Sequence, residues 1–217
     1  MCVPIFNPAS PLPPLATFTL DDLAQFTAEG VFSPSDSPDY RTLYVGRDDV
    51  HGALMYVLQR CHRSLVMNMF GYDDNELDAE VVRLILNDSV YVQGTLDKSQ
   101  SGGIHEKQII AAWDPKVRAS FAIGQSATHQ ISHTKGFVAD GVLGMEGSTN
   151  WSASGEGTGI VLKKGAPQNP GFKAQNNTCT FHVHPIQVAR FAEELNEEHA
   201  VALQQEHSAT PPTPPAA

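Results

Sequence analysis

Between residues 41 and 113 the chain repeats one pattern, a short apolar run followed by an amphipathic segment, and this alternation constrains the fold most tightly. RTLYVG (41–46), SLVMNMF (64–70) and SVYVQGTL (89–96) are short, bounded by turn-forming residues, and read as strands. SLVMNMF is apolar on both faces, the pattern of a strand buried inside a sheet. Between the strands, DDVHGALMYVLQRCH (48–62) gathers Val50, Leu54, Val57 and Leu58 on one face of a 3.6-residue helix. DDNELDAEVVRLILN (73–87) does the same with Leu77, Val81, Leu84 and Ile85. IHEKQIIAAW (104–113) predicts a further short helix, stopped at Asp114-Pro115 because a proline drives its predecessor out of the α region. Two βα pairs feeding a third strand predict an α/β fold with parallel strands covered by helices.

The second half changes character. VRASFAI (117–123), ISHTKGFVA (131–139), GVLGMEG (141–147), GTGIVL (157–162) and NTCTFHV (177–183) read as short strands joined by tight turns. A last helix, about 185–205, turns Val188, Phe191, Ala192 and Leu195 inward. Ahead of all this, TLDDLAQFTAEG (19–30) predicts a helix capped by Thr19 and ended at Gly30.

At 217 residues the chain suits one domain with its own core. Cys2, Cys61 and Cys179 are odd in number and lack paired spacing, which argues against a disulfide scaffold and against structural zinc. Reduced core thiols and a cytoplasmic location are the simplest expectation. The first twenty residues carry no positive charge and are broken by prolines, so no signal peptide is expected there, and no stretch approaches the ~20 apolar residues of a membrane span.

Net charge is −10, but unevenly spread: Pro115 to Ala192 holds seven basic residues against three acids, leaving −14 for the remainder. This locally cationic window contains HTKGFVADGVLGMEGSTN (133–150). On a strand, residues i and i+2 share a face, so His133 projects with Lys135, and Ser148 with Asn150. Asp140-Gly141 favours a tight hairpin turn that would fold the two segments together. A proton carrier or nucleophile, a fixed cation and an amide are what attack at phosphorus requires.

The spacing H-x-K-x4-D-x6-G-S-x-N, at His133, Lys135, Asp140, Gly147, Ser148 and Asn150, resembles the signature of the phospholipase D superfamily. With flanks such as RSLVMNMFGYDDNEL and VYVQGTLDKSQ, the resemblance spans roughly residues 40–200 and is nearest to the short, single-motif, endonuclease-like members. It implies a layered α-β-α sandwich around a mixed sheet, with residues 41–206 as the phospholipase D-like catalytic domain. Outside it lie a Pro-rich flexible segment (1–16), an N-terminal helix and loop (17–40) and a disordered Pro-rich tail (207–217).

The resemblance further implies that one motif histidine forms a covalent phosphohistidine while a second acts as acid and then base, with no metal or other cofactor. One motif per chain then implies a homodimer sharing a site on the two-fold axis, where the copies of His133 meet. Lys135 and Asn150 would hold phosphate, Ser148 would hydrogen-bond nearby, and Asp140 would be structural or catalytic at one remove. Family members tend to carry a later glutamate that orients the histidine; KAQNN (173–177) offers only Asn176 and Asn177, with Glu156 as a substitute. Lys163, Lys164 and Lys173 form an acid-free stretch suited to gripping substrate. The expected substrate is a phosphodiester, with nucleic acid favoured slightly over a phospholipid head group. The competing reading is a catalytically silent dimeric anion-binding module. His182 and His184 share a strand face but suggest no third metal ligand, so partly exposed histidines are expected there.

Overall fold

The computed structural model describes residues 12–158 and 173–209. Its sheet strands are β1 (Tyr40–Tyr44), β2 (Ser64–Met69), β3 (Tyr91–Asp97), β4 (Phe121–Gly124), β5 (Lys135–Ala139), β6 (Leu143–Gly147) and β7 (Thr178–His182). The helices are α1 (Val50–Leu58), α2 (Asn75–Leu86), α3 (Ile104–Ala112), α4 (Pro115–Ala119), α5 (Ala153–Glu156) and α6 (Pro185–Ala209). The seven strands lie in the order β1-β7-β6-β5-β2-β3-β4.

β2 is the seam of the sheet. It pairs parallel with β3, which pairs parallel with β4, and antiparallel with β5, where the β5–β6–β7 meander begins. β1 pairs antiparallel with β7 at the far edge. The pairings therefore leave β1 running in the direction of β2 but not beside it. The sequence pattern gives the direction of β1; its neighbour is decided by β5, which occupies the flank of β2 that a simple βαβ unit would fill.

The alternation of side chains sorts the core onto two faces. Leu65, Met67, Phe137 and Ala139 join Val50, Leu54, Leu77 and Val81 of α1 and α2 in the main core. Val66 and Val138 point the other way and pack with Val188, Phe191, Ala192 and Leu195 of α6. Helices thus cover both faces of a mixed sheet, the α-β-α layering expected from the sequence. Both described cysteines, Cys61 and Cys179, are buried and free, and burial pushes both thiols up, away from the reactive thiolate.

Some local expectations shift. Thr19 opens a seven-residue 3-10 helix, Leu20–Phe26, where an α-helix was expected; Asp22 accepts a 2.8 Å hydrogen bond from the Thr19 amide, and the Asp49 amide takes the Phe26 carbonyl at 2.7 Å. VRASFAI yields a strand only from Phe121, because Asp114 accepts from the Val117 amide at 2.9 Å and starts α4. ISHTKGFVA is strand only from Lys135. α6 runs on to Ala209, so the first residues assigned to the tail are helical. At the other end Leu15 is 3% exposed in the core and its amide bonds the Arg60 carbonyl, so this part of the Pro-rich segment is docked. GTGIVL falls mostly outside the described residues.

Candidate active site

The hairpin that carries the motif is built as its sequence dictates. Asp140 and Gly141 have φ of 53° and 68°, and the Val142 amide bonds the Ala139 carbonyl, giving the two-residue turn that Asp-Gly favours. The Asp140 carboxylate is turned away from the motif's other end. It accepts hydrogen bonds from the amides of His62 (3.0 Å), Arg63 (2.7 Å) and Ser64 (3.1 Å), so it fastens the hairpin to the start of β2.

The working end lies at the opposite tip, beside the C-terminal end of β2. Lys135, the first residue of β5, shares its face with Phe137 and Ala139 and is 5% exposed. Its Nζ donates to the His133 carbonyl at 2.8 Å and sits 4.7 Å from the centre of the Phe70 ring. The exposed imidazole of His133 meets the same ring edge-on, with ring centres 4.5 Å apart. Phe70 thus orients both residues, one by aromatic contact and one by a cation–π contact.

Asn150 joins them through the next residue of that loop. A β-carbon on Gly71 would lie 3.2 Å from Cβ and Cγ of Asn150, closer than most side chains tolerate, so glycine permits this approach. Trp151, fully buried and stacked on Tyr72 with ring centres 5.6 Å apart, locks the backbone here. Its amide bonds the Gly71 carbonyl at 2.9 Å, and its carbonyl accepts from the amides of Asp73 and Asp74. Oδ1 of Asn150 is buried and finds no partner among the described residues.

A second set of contacts, which the motif does not contain, holds the segment before β5. Alternation sends Ser132 and Thr134 toward α6 while His133 and Lys135 point the other way. Asn68 Nδ2 donates to Ser132 Oγ (2.9 Å) and Glu198 Oε2 (2.6 Å), and Thr134 Oγ1 donates to Glu198 Oε1. Buried Asp97, at the end of β3, accepts from the Ser132 amide at 2.6 Å. An asparagine amid the apolar SLVMNMF was the visible signal for this network; Glu198 gave none, since α6 is acidic along much of its exposed face.

The electrostatics match an anion site. Burial pushes the Lys135 ammonium down to about 8, against the opposing pull of Asp97. Burial and then the charge of Lys135 lower His133 below the usual histidine value, keeping the imidazole neutral near pH 7. No carboxylate lies within ion-pair distance of Lys135 Nζ among the described residues.

The remaining candidates are elsewhere or turned aside. Ser148 Oγ accepts from the Thr178 amide at 3.0 Å, which ties β6 to β7. Glu156 faces His51 at 2.6 Å, so the expectation that it orients His133 is corrected: α5 turns it back toward the start of α1. Asn177 donates to the Gly155 carbonyl at 2.9 Å, while Asn176 and Lys173 are exposed. Lys163 and Lys164 lie outside the described residues. His182, expected to be partly exposed, is 3% exposed, because Gly144 and Phe191 close over its ring. A cleft of about 460 Å³ beside β1, lined by residues such as Arg41, Tyr44 and Arg47, contains none of the motif.

Neither a family model nor a curated protein sequence matches the chain. Solved structures do match in fold. A phospholipase D family member, Nuc from Salmonella typhimurium, superposes with a TM-score of 0.54 at 12% identity, over 74% of this chain and 94% of that one. NucT from Helicobacter pylori gives 0.53 at 9%, over 73% and 94%. Phosphatidylserine synthase from Haemophilus influenzae gives 0.54 at 11%, over 82% of this chain but 39% of that one. The chain has the phospholipase D-like fold.

Proposed function

We propose that the chain is a phosphodiesterase that works through a phosphohistidine at a site completed by a second copy of itself. The observation that carries this is the cluster around Phe70: the exposed imidazole of His133 and the buried ammonium of Lys135 both meet its ring, and Asn150 packs against the neighbouring Gly71. A buried cation with no carboxylate at ion-pair distance among the described residues favours binding of an anion, and a phosphodiester supplies one.

In this reading a ring nitrogen of His133 attacks phosphorus, forming a P–N bond as the P–O bond to the leaving group breaks. Lys135 and Asn150 steady the non-bridging oxygens, whose charge develops in the transition state. The leaving oxygen takes its proton from His133 of the partner subunit, which enters the step as the imidazolium because the coupled pair holds one proton between its two rings. That imidazole, now neutral, removes a proton from water; the hydroxide attacks phosphorus, the P–N bond breaks, and the starting state returns. None of these steps requires a metal. One motif per chain and the exposure of His133 favour a two-fold dimer, in which the two imidazoles titrate as a pair.

Nucleic acid is the favoured substrate, supported by the locally cationic motif segment and by the fold shared with two short proteins over nearly their whole length. No helix among the described residues is long and apolar enough to cross a membrane. A panel of a chromogenic phosphodiester, single-stranded and duplex DNA and phosphatidylcholine vesicles, run in excess chelator beside His133→Ala, tests the proposal. Turnover of the first two classes, lost in the variant, is expected. Lipid-only turnover moves the substrate to phospholipids, and silence on every substrate leaves an anion-binding module. A monomer of 23.5 kDa by light scattering that remains active would refute the shared site.

A further inference from the structure

Six residues beyond Asn150 the chain buries a carboxylate that phosphodiester chemistry does not use. The side chain of Glu156 is 0% exposed, and its Oε2 lies 2.6 Å from Nδ1 of His51. Its other oxygen, Oε1, is buried without a partner among the described residues, an unfavourable state for a carboxylate. Asp74 adds a second carboxylate. Its Oδ1 caps α2, accepting from the amides of Glu76 and Leu77 at 2.9 Å each, while Oδ2 faces His51 Nδ1 at 3.8 Å.

We propose that His51, Asp74 and Glu156 bind a divalent transition cation, Zn²⁺ being the ion that fits, and that it fastens the loop after Asn150 to the starts of α1 and α2. One donor atom from each of the three side chains lies within 4.8 Å of the others. Tetrahedral zinc with bonds of ~2.0–2.2 Å sets its donors roughly 3.3–3.6 Å apart, and the separations of His51 Nδ1 from Glu156 Oε2 (2.6 Å) and Asp74 Oδ2 (3.8 Å) bracket that requirement. His51 Nε2 lies 3.1 Å from Glu76 Oε2, the outer carboxylate that commonly accepts the second N–H of a metal-bound imidazole. Calcium is disfavoured because it takes six to eight oxygens, whereas one imidazole with two carboxylates suits zinc or its neighbours.

An imidazolium–carboxylate pair alone would satisfy Glu156 Oε2 and leave Oε1 orphaned; a cation can draw on the whole carboxylate. The site's place gives it a purpose. The carbonyl of Trp151 holds the Asp73 and Asp74 amides on one side, and Glu156 follows on the other, so a bound ion would brace Asn150 from both. It stands apart from the bond-making steps proposed above and does not rest on them.

The test is calorimetric titration of the chelator-stripped full chain with Zn²⁺ near pH 7.5. One equivalent should bind, and Glu156→Gln and His51→Ala should abolish it. Two variants guard against mere misfolding. Asp74→Asn keeps a side chain that caps α2 but should weaken binding at least tenfold, and exposed Glu76→Gln should weaken it about tenfold. Zn²⁺ should raise the melting temperature of the wild type more than that of Asp74→Asn. Absence of saturable binding to the wild type, or affinity unchanged in folded Asp74→Asn and Glu76→Gln, overturns the site.

Discussion

Two histidines, one in the first turn of α1 and one in the segment before β5, are treated in opposite ways. His133 stands exposed above a buried lysine, and no carboxylate forms an ion pair with either residue among the described residues. His51 is walled in by Glu156, Asp74 and Glu76. Burial opposes its protonation, but the hydrogen bond and charge of Glu156 prevail and hold it up at about 9. Burial in turn pushes the Glu156 carboxyl up to about 7. One cluster is positive and open; the other is negative and closed. A site prepared for an outside anion keeps its cation uncompensated, whereas a cluster that shapes the fold supplies its own counter-charges.

The comparison breaks first if His133 is dispensable. His133→Ala should lower turnover of a chromogenic phosphodiester by ~10³-fold, within the range of acid–base and nucleophilic contributions, while leaving the melting temperature nearly unchanged. His51→Ala should do the reverse: removing one partner of a buried pair costs about 3 kcal/mol in a denaturant melt. If both variants lose activity at unchanged stability, the division between the clusters fails.

Asp140→Ala should also act on stability, by roughly 2–3 kcal/mol, because three backbone amides at the start of β2 lose their acceptor. Loss of activity in a fully stable Asp140→Ala would give that carboxylate a direct part in the chemistry.

A pH profile sharpens the contrast further. Lys135 is half charged at about 8, so kcat/KM should fall as pH rises through that value. Lys135→Arg, weaker at pH 7 for geometric reasons, should lack this alkaline limb because its guanidinium does not titrate there. The smallest effect is expected from Ser148→Ala, about 1 kcal/mol of stability with turnover within a few-fold, since Ser148 Oγ accepts the Thr178 amide.

Much of this was legible in the sequence. The 3.6-residue spacing in 48–62 and 73–87 located α1 and α2, and Asp140-Gly141 announced the hairpin. Other features were not, because they join residues far apart in the chain. Phe70 is 63 positions from His133, and Glu198 is 130 from Asn68, so no local pattern announces either contact. Glu156 misled for the same reason: proximity to the motif in sequence suggested His133, and the turn of α5 delivered it to His51.

Local patterning determined which segments become strands and helices, and it put His133, Lys135 and Asn150 within one hairpin's reach, since periodicity and turn chemistry act over a few residues. Only the tertiary structure decided which strand lies beside β2, which aromatic ring orients the motif, and which histidine is enclosed by carboxylates. Those outcomes depend on burial and charge summed over contacts that the linear order does not contain.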